Sequence, residues 1–401
     1  MPNNWKTYKL SDFIDINPLV KLKANEKYSF VEMKDLDANL KTVIPSDFKP
    51  LKGGAKFQNN DTLFARITPC LENGKICQVR ELKNNVGFGS TEFLVFRGKD
   101  GISNTDFVYY LSREPYVRQF AEANMIGTSG RQRVAKEAFQ NIKLELPPLQ
   151  EQQTIASILS AIDDKIENNL AINKTLEEMA MALYKHWFVD FGPFQDGEFV
   201  ESELGMIPKG WEVKSVYDIA NYVNGAAFKP SELINEGKYV IKISELNGGI
   251  TKNTGKSTKE VKKEQIINDG SVLFSWSATL DIFLWDKGEA LLNQHIFNVL
   301  PNGCLSIETL YFLLKNIIAH FKAIAADRAT TMGHIKISHL KETFLAIPNQ
   351  LDKQEFQNKI EPIFNQILEN LIENQTLTQL RDTLLPKLIS GEVRLKEFRE
   401  N

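Results

Sequence analysis

Thr128-Ser129-Gly130-Arg131-Gln132-Arg133 sets two hydroxyls, a glycine and three long polar side chains within six residues. An arginine fork matches guanine O6 and N7, and a glutamine amide matches adenine N6 and N7. The loop therefore has base-reading chemistry, although the same residues also suit a turn into a strand with solvated charges. A later stretch, Thr330-Thr331-Met332-Gly333-His334-Ile335-Lys336, parallels it and sets Lys336 opposite Arg133. Ala65-Arg66-Ile67-Thr68 and Ser275-Trp276-Ser277 each follow a Leu-Phe pair. Arg66 and Trp276 could reach a groove or stack on a base, and Trp276 suits a core equally well. Lys52-Gly53-Gly54-Ala55-Lys56 and the run from Asn224 to Lys229 are glycine-containing basic loops. Such loops let the backbone approach phosphate closely, or serve as plain turns.

Catalytic constellations are not found. No phosphate-cradling G-x-x-x-x-G-K-[ST], no G-x-G-x-x-G after a strand, no H-E-x-x-H and no G-x-S-x-G is present. His334 and His339 are five apart with no Cys or carboxylate at metal-ligand spacing, and are expected as surface polar residues. No [DNS]-P-P-[FY] run occurs, so the signature of an amino-methyltransferase is missing. The expectation is a chain that binds and does not catalyse, with no cofactor or metal of its own.

Behind these loops stand 401 residues with 48 Lys+Arg and 51 Asp+Glu, a formal net charge of -3. Hydrophobic residues at 42% and charged residues at 25% are ordinary for a folded chain and exclude a disordered or collagen-like one. That length suggests two or three domains. Cys70, Cys77 and Cys304 are too few for a disulfide framework, so free thiols in a reducing cytoplasm are expected. The N-terminal MPNNWKTYKL has no apolar core of a secretory signal, and no apolar run reaches the roughly 18 residues of a membrane span.

The chain repeats itself. Trp5 and Trp211 open similar stretches, each with an aspartate seven residues on (Asp12, Asp218). Phe30–Leu36 then matches Val240–Leu246, Leu63-Phe64 matches Leu273-Phe274, Ser90–Phe93 matches Asn293–Ile296, Thr128–Gly130 matches Thr331–Gly333, and Leu146-Pro147 matches Ile347-Pro348. The offset drifts from 206 to 210, 203 and 201, which places insertions and deletions in loops. Each copy begins with short strand-like runs: Tyr28–Met33, Thr62–Ile67 and Glu92–Phe96, against Tyr239–Ile243, Ser271–Trp276 and His295–Leu300. A helical stretch follows, Asn104–Ala123 or Ile307–Ala326.

Each copy ends in a long helix. Ile155, Leu159, Ile162, Ile166, Asn169, Asn173, Leu176, Ala180 and Leu183 alternate spacings of four and three, the seam of a coiled coil. Phe356, Ile360, Ile363, Ile367, Asn370, Asn374, Leu377, Arg381 and Leu384 repeat it, shifted by 201. Antiparallel pairing brings Asn169 and Asn173 near Asn374 and Asn370, where buried asparagines fix register. Separate helices, each packed on its own domain, are the alternative. Pro362 should kink the second helix or mark a late start. The first, over about residues 150–186, would be about 50 Å long, some one and a half turns of B-DNA.

The expected architecture is α+β: a tandem repeat of two similar mixed α/β domains separated by two long antiparallel helices. The segments are 1–147, a helical spacer 148–190, a linker 191–207, 208–348 and a helical spacer 349–401. Their net charges are +5, -4, -4, +2 and -2. Basic charge gathers in the two mixed domains, as a phosphate-binding surface needs. Acidic charge gathers in helices and linker, which suits protein partners.

Essentially the whole chain resembles the specificity (S) subunit of type I restriction-modification systems. The most specific segment is Leu183–Val213, L-Y-K-H-W-F-V-D-F-G-P-F through S-E-L-G-M-I-P-K-G-W-E-V. Pro147–Gln153 resembles that family's entry into its first conserved helix, and Leu384–Val393 its C-terminal helix end. The resemblance implies two target recognition domains, each reading half of a bipartite site in double-stranded DNA, spaced by the helices. It implies two methyltransferase subunits that bind S-adenosylmethionine and modify adenine, and an ATP-dependent, DNA-translocating restriction subunit. A specificity component of another multi-subunit DNA-modification system and a two-domain protein scaffold are the alternatives. Pro362 and Arg381 break the symmetry of the helices and so put equal docking on both in question.

Overall fold

The computed structural model describes residues 4–128, 130–140, 142–327 and 334–395. The chain forms two compact units: Met1–Asn168 with Thr376–Asn401, and Asn169–Gln375. Each unit therefore takes one mixed domain and a portion of both long helices.

In the first unit, a five-stranded sheet runs in the order Ile14–Ile16, Phe93–Gly98, Thr62–Ala65, Ile76–Val79, Thr42–Val43. A four-stranded sheet runs Asp47–Pro50, Lys27–Val31, Val86–Gly89, Ala55–Gln58. The central strands carry unbroken apolar runs, so both faces are covered: Leu63, Phe64 and Leu94 are wholly buried. The expected single helix is two, Thr105–Arg113 and Pro115–Ala123. Pro115 forces its predecessor out of the helical region, and Glu114 has ψ 134°. The second unit has no proline there and keeps one helix, Ile307–Asp327.

The second unit repeats the plan with a sheet of Ala220–Asn224, Ile296–Pro301, Val272–Ser275 and Asp281–Leu284. Its other sheet is Lys256–Ser257, Lys238–Ile241, Ala290–Leu292 and Ile266–Ile267. The repeat extends to contacts. Phe30 pairs with Phe88 in parallel, as Val240 does with Leu291. Trp5 donates its indole N–H to Glu151 at 3.1 Å, and Trp211 donates to Asp352 at 2.8 Å. Both acceptors lie in the first turn of a long helix, where the helix dipole favours a carboxylate.

The long helices are Leu149–Tyr184, extended by one wider turn at Lys185–Val189, and Gln350–Ile389. They pair antiparallel. In the second unit Asn169 Nδ2 donates to Asn374 Oδ1 at 2.8 Å, and Asn370 Nδ2 to Asn173 Oδ1 at 2.7 Å. All four asparagines are buried. In the first unit Arg381 Nη1 donates to Asp163 Oδ1 at 2.8 Å. Replacing the four asparagines together by leucine should raise resistance to denaturant while releasing the register. Cysteine pairs placed across the seam should then cross-link in more than one alignment. One unchanged alignment would show that the asparagines do not set it.

Two expectations need correction. The second helix does not start late: it begins at Gln350, and Pro362 sits inside it on the exposed face. There the carbonyl that proline leaves without a donor can turn to water. Phe356, Ile360, Phe364 and Ile367 hold the buried face on either side. The stretch read as a linker is folded, with a hairpin of Phe199–Ser202 and Gly205–Pro208. Phe191 and Phe194 pack on Trp211, with ring centroids 5.4 and 5.1 Å apart.

Candidate nucleic-acid interface

Each unit holds a cleft beside the end of its Leu-Phe strand, and these two clefts occupy equivalent places in the repeat. The first, about 400 Å³, is lined by residues that include Asn17, Gly54, Lys56, Arg66 and Thr91. The second, about 900 Å³, includes Asn224, Gly225, Lys259, Lys262, Trp276 and His295. Arg66 and Trp276 both follow the buried Leu-Phe strand, and a neighbouring chain segment closes onto each. Val134 N donates to Arg66 O at 2.9 Å, and Ile335 N donates to Trp276 O at 3.0 Å. Isolated bridges join Ile67 to Arg133 and Ser277 to His334. The residue opposite Arg133 is therefore His334. Sequence spacing set Lys336 there, but Lys336 lies two residues further on, before the helix Ile337–Glu342.

The Thr128–Arg133 loop is a hairpin tip between Met125–Ile126 and Arg133–Val134, which is the turn-into-strand alternative. Gly130 takes φ +77°, and Arg131 N donates to Thr128 O at 3.0 Å. The main chain of Gln132 bonds twice to Thr68: its N–H donates to the Thr68 side-chain Oγ1 and its carbonyl accepts from Thr68 N, both at 3.0 Å. Arg133 lies against Glu92, with Nε 2.9 Å from Oε2 and Nη2 2.8 Å from Oε1. That carboxylate holds the guanidinium firmly charged. Arg131 points to solvent with no ion-pair partner among the described residues. Ser129, Thr331 and Gly333 lie outside the described residues.

The glycine-rich loops have a packing role. A Cβ on Gly54 would collide with the Gly89 carbonyl, and one on Gly225 with the carbonyls of Leu292 and Asn293. Close backbone approach is what glycine permits. Lys52 is exposed beside Gly53, while Lys56 lines the first cleft. Lys229 is exposed and does not line the second cleft, where Lys259 and Lys262 stand. Lys259 is tied to the Ala227 carbonyl (2.8 Å) and to Glu232 (2.9 Å). The sequence reading passed over Asn17, Thr91, Lys259 and Lys262.

Trp276 is half-buried among Phe297, His295 and His334, its ring 5.9, 5.5 and 6.2 Å from theirs. Its Nε1 donates to Asn224 Oδ1 at 3.1 Å. His334 is exposed, but His339 is buried, contrary to the expectation of a surface residue. Its ring Nδ1 meets the Lys336 N–H at 3.3 Å and so caps the short helix. The three cysteines are free, with the Cys77 thiol pushed up to about 12 by burial. Among the described residues no His, Cys, Asp or Glu cluster is arranged to hold a metal ion, and no helix is long and apolar enough to cross a membrane.

The architecture defines a duplicated α+β protein with an equivalent cleft in each copy and two long antiparallel helices. The chain belongs to the type I restriction modification DNA specificity domain family, whose pattern matches residues 2–178 and again 208–382. It is 30% identical over 327 residues to the type I restriction enzyme MjaIX specificity subunit of Methanocaldococcus jannaschii, covering 75% of this chain and 71% of that one. It is 27% identical to the HindI specificity subunit of Haemophilus influenzae, covering 98% of this chain and all of that one. The fold is shared with the S subunit of a type I restriction-modification system from M. genitalium, at TM-score 0.53 and 15% identity over 96% of each chain.

Proposed function

We propose that this chain is the DNA-reading subunit of a type I restriction-modification complex. The recognition domains, 1–147 and 208–348, each read one half of a bipartite duplex target. The helical segments 148–190 and 349–401 set the spacing and dock two methyltransferase subunits. Binding of S-adenosylmethionine, adenine modification and ATP-dependent restriction belong to partner chains in the cytoplasm. The observation that carries this reading is the pair of repeat-equivalent clefts, one in each family-matched copy. Lys56 and Arg66 in the first cleft, and Lys262 in the second, have no ion-pair partner among the described residues. Cations left unpaired are the groups that replace counterions on phosphate.

The experiment is to co-express the chain with the methyltransferase encoded beside it and map methylated adenines across a genome. A motif of two short specific halves around a fixed nonspecific spacer is expected. A continuous motif, or none, would overturn the proposal. Duplex binding should also fall steeply with salt. With roughly six to ten phosphate contacts, affinity drops about 10³–10⁵-fold between roughly 50 and 200 mM salt. A salt-independent affinity, read by anisotropy titration, would favour a protein scaffold instead.

A further inference from the structure

Arg66 and Trp276 hold the same place in the two copies and offer opposite chemistry. Arg66 lines the first cleft, and its Nε is closed off from solvent with no hydrogen-bond partner among the described residues. Arg80 and Arg118 also leave a buried Nε without a partner, so Arg66 is set apart by its place in the cleft and by the absence of any ion-pair carboxylate beside it among the described residues. Arg133, a few residues from it in space, is already taken up on both oxygens of Glu92. Of these two arginines, Arg66 is the one with its fork uncommitted. Strand Thr62–Ala65 ends immediately before it and is buried throughout, so the side chain projects from a rigid base.

Trp276 has one donor, and Asn224 takes it. What remains toward the second cleft is an aromatic surface braced by His295 and His334. That surface cannot exchange hydrogen bonds with a base edge. It can make apolar contact with the C5 methyl of thymine, the one apolar group the major groove displays.

We infer that Arg66 reads a guanine in one half-site and that Trp276 reads a thymine methyl at the corresponding place in the other. The two half-sites therefore differ in base composition there, although the scaffolds are copies. This rests on the DNA-reading function proposed above. A phosphate contact is the competing role for Arg66. It predicts uniform weakening across all sequences, whereas a base contact predicts relaxation at one position.

The test uses the full chain co-expressed with its methyltransferase subunits and genome-wide methylation mapping. If the unaltered complex gives no bipartite motif, the DNA-reading function itself fails. Given a bipartite motif, Arg66→Ala should leave one half-site and the spacer intact and make a single G·C position in the other degenerate. Discrimination at that position should fall roughly 5- to 150-fold, the worth of one bidentate pair. Arg66→Gln should turn the preference at that position from guanine to adenine, because glutamine matches adenine N6 and N7. It also decides the matter should the alanine variant lose all methylation. Trp276→Ala should relax one T·A position in the half-site that Arg66→Ala leaves intact. The inference is overturned if the half-site has no G·C pair, if Arg66→Gln changes no position, or if sites weaken equally whatever their sequence.

Discussion

Replacing Arg381 by alanine should destabilise the first unit by about 3–5 kcal/mol, the usual loss when one partner of a buried ion pair is removed. The side chains of Arg381 and Asp163 are only 3% and 2% exposed. Burial and the neighbouring Arg113 pull the Arg381 guanidinium down, and Asp163, with Asp382 on its Nε, more than offsets them, so its pKa stands above the ordinary value. The phenol of Tyr110, held protonated by burial, gives Asp163 a second bond at 2.7 Å. Without Arg381 the carboxylate keeps a phenol donor and the more distant charge of Arg113, but loses its ion-pair contact. The Asn39 carbonyl, which accepts from Arg381 Nη1 at 3.2 Å, would lose its bond as well. Removing both charges is a different case. Asp163→Leu with Arg381→Leu should lie within about 1 kcal/mol of the parent, since apolar pairs of similar volume often replace buried ion pairs without loss. Urea unfolding followed by hydrogen exchange at Leu159–Ile166 would measure both. Equal losses in the single and double variants would show that packing, and not the unpaired charge, is responsible.

The sequence alone revealed the duplication, the α+β plan and the paired helices, because these rest on local periodicity and on offsets that survive insertion. Asn169, Asn173, Asn370 and Asn374 stood out because amides at seam positions contradict their apolar surroundings. Arg381 stood out for the same reason, but its partner did not. Asp163 falls one residue off the seam, next to Ile162, and only the helix geometry brings the two together. The two-helix break at Pro115 was open to view and was passed over. The site was less legible. Charge and residue type picked out Arg131 and Arg133, but type does not reveal that Glu92, forty-one residues earlier, accepts from Arg133. Arg66 and Trp276 were found by position after the Leu-Phe strand. Their equivalence became certain only through the bridges Ile67–Arg133 and Ser277–His334, which corrected the alignment by two residues. Lys259 and Lys262 lie in a stretch with six lysines from Lys242 through Lys263, too uniform for any one to be distinguished by sequence.

The same ion pair should decide which helix pairs with which. Shifted by the repeat offset of 201, the Asp163–Arg381 crossing becomes Ala180 and Phe364, both buried in the apolar core of the second unit. Tyr110, in a segment where the offset is 202, becomes Phe312, whose ring lies 6.4 Å from that of Phe364. The asparagine crossings map onto themselves, so they fix register without choosing a partner. Consider the chain cut at the exposed hairpin tip between Glu203 and Leu204. Two copies of the first half could align all their asparagines, yet each Asp163 would face Ala180. Two copies of the second half would set each Arg381 against Phe364. Either symmetric pair buries two unpaired charges, a penalty of about 6–10 kcal/mol against the mixed pair. The separated halves, combined, should therefore form a one-to-one complex and few homodimers, as weighed by native mass spectrometry. Arg381→Ala in the second half should reverse this preference. The new alanine would face Phe364, as Ala180 does by position in the intact chain, and the half should self-associate. Homodimers of the unaltered halves as tight as the mixed complex would show that partner choice lies elsewhere in the seam.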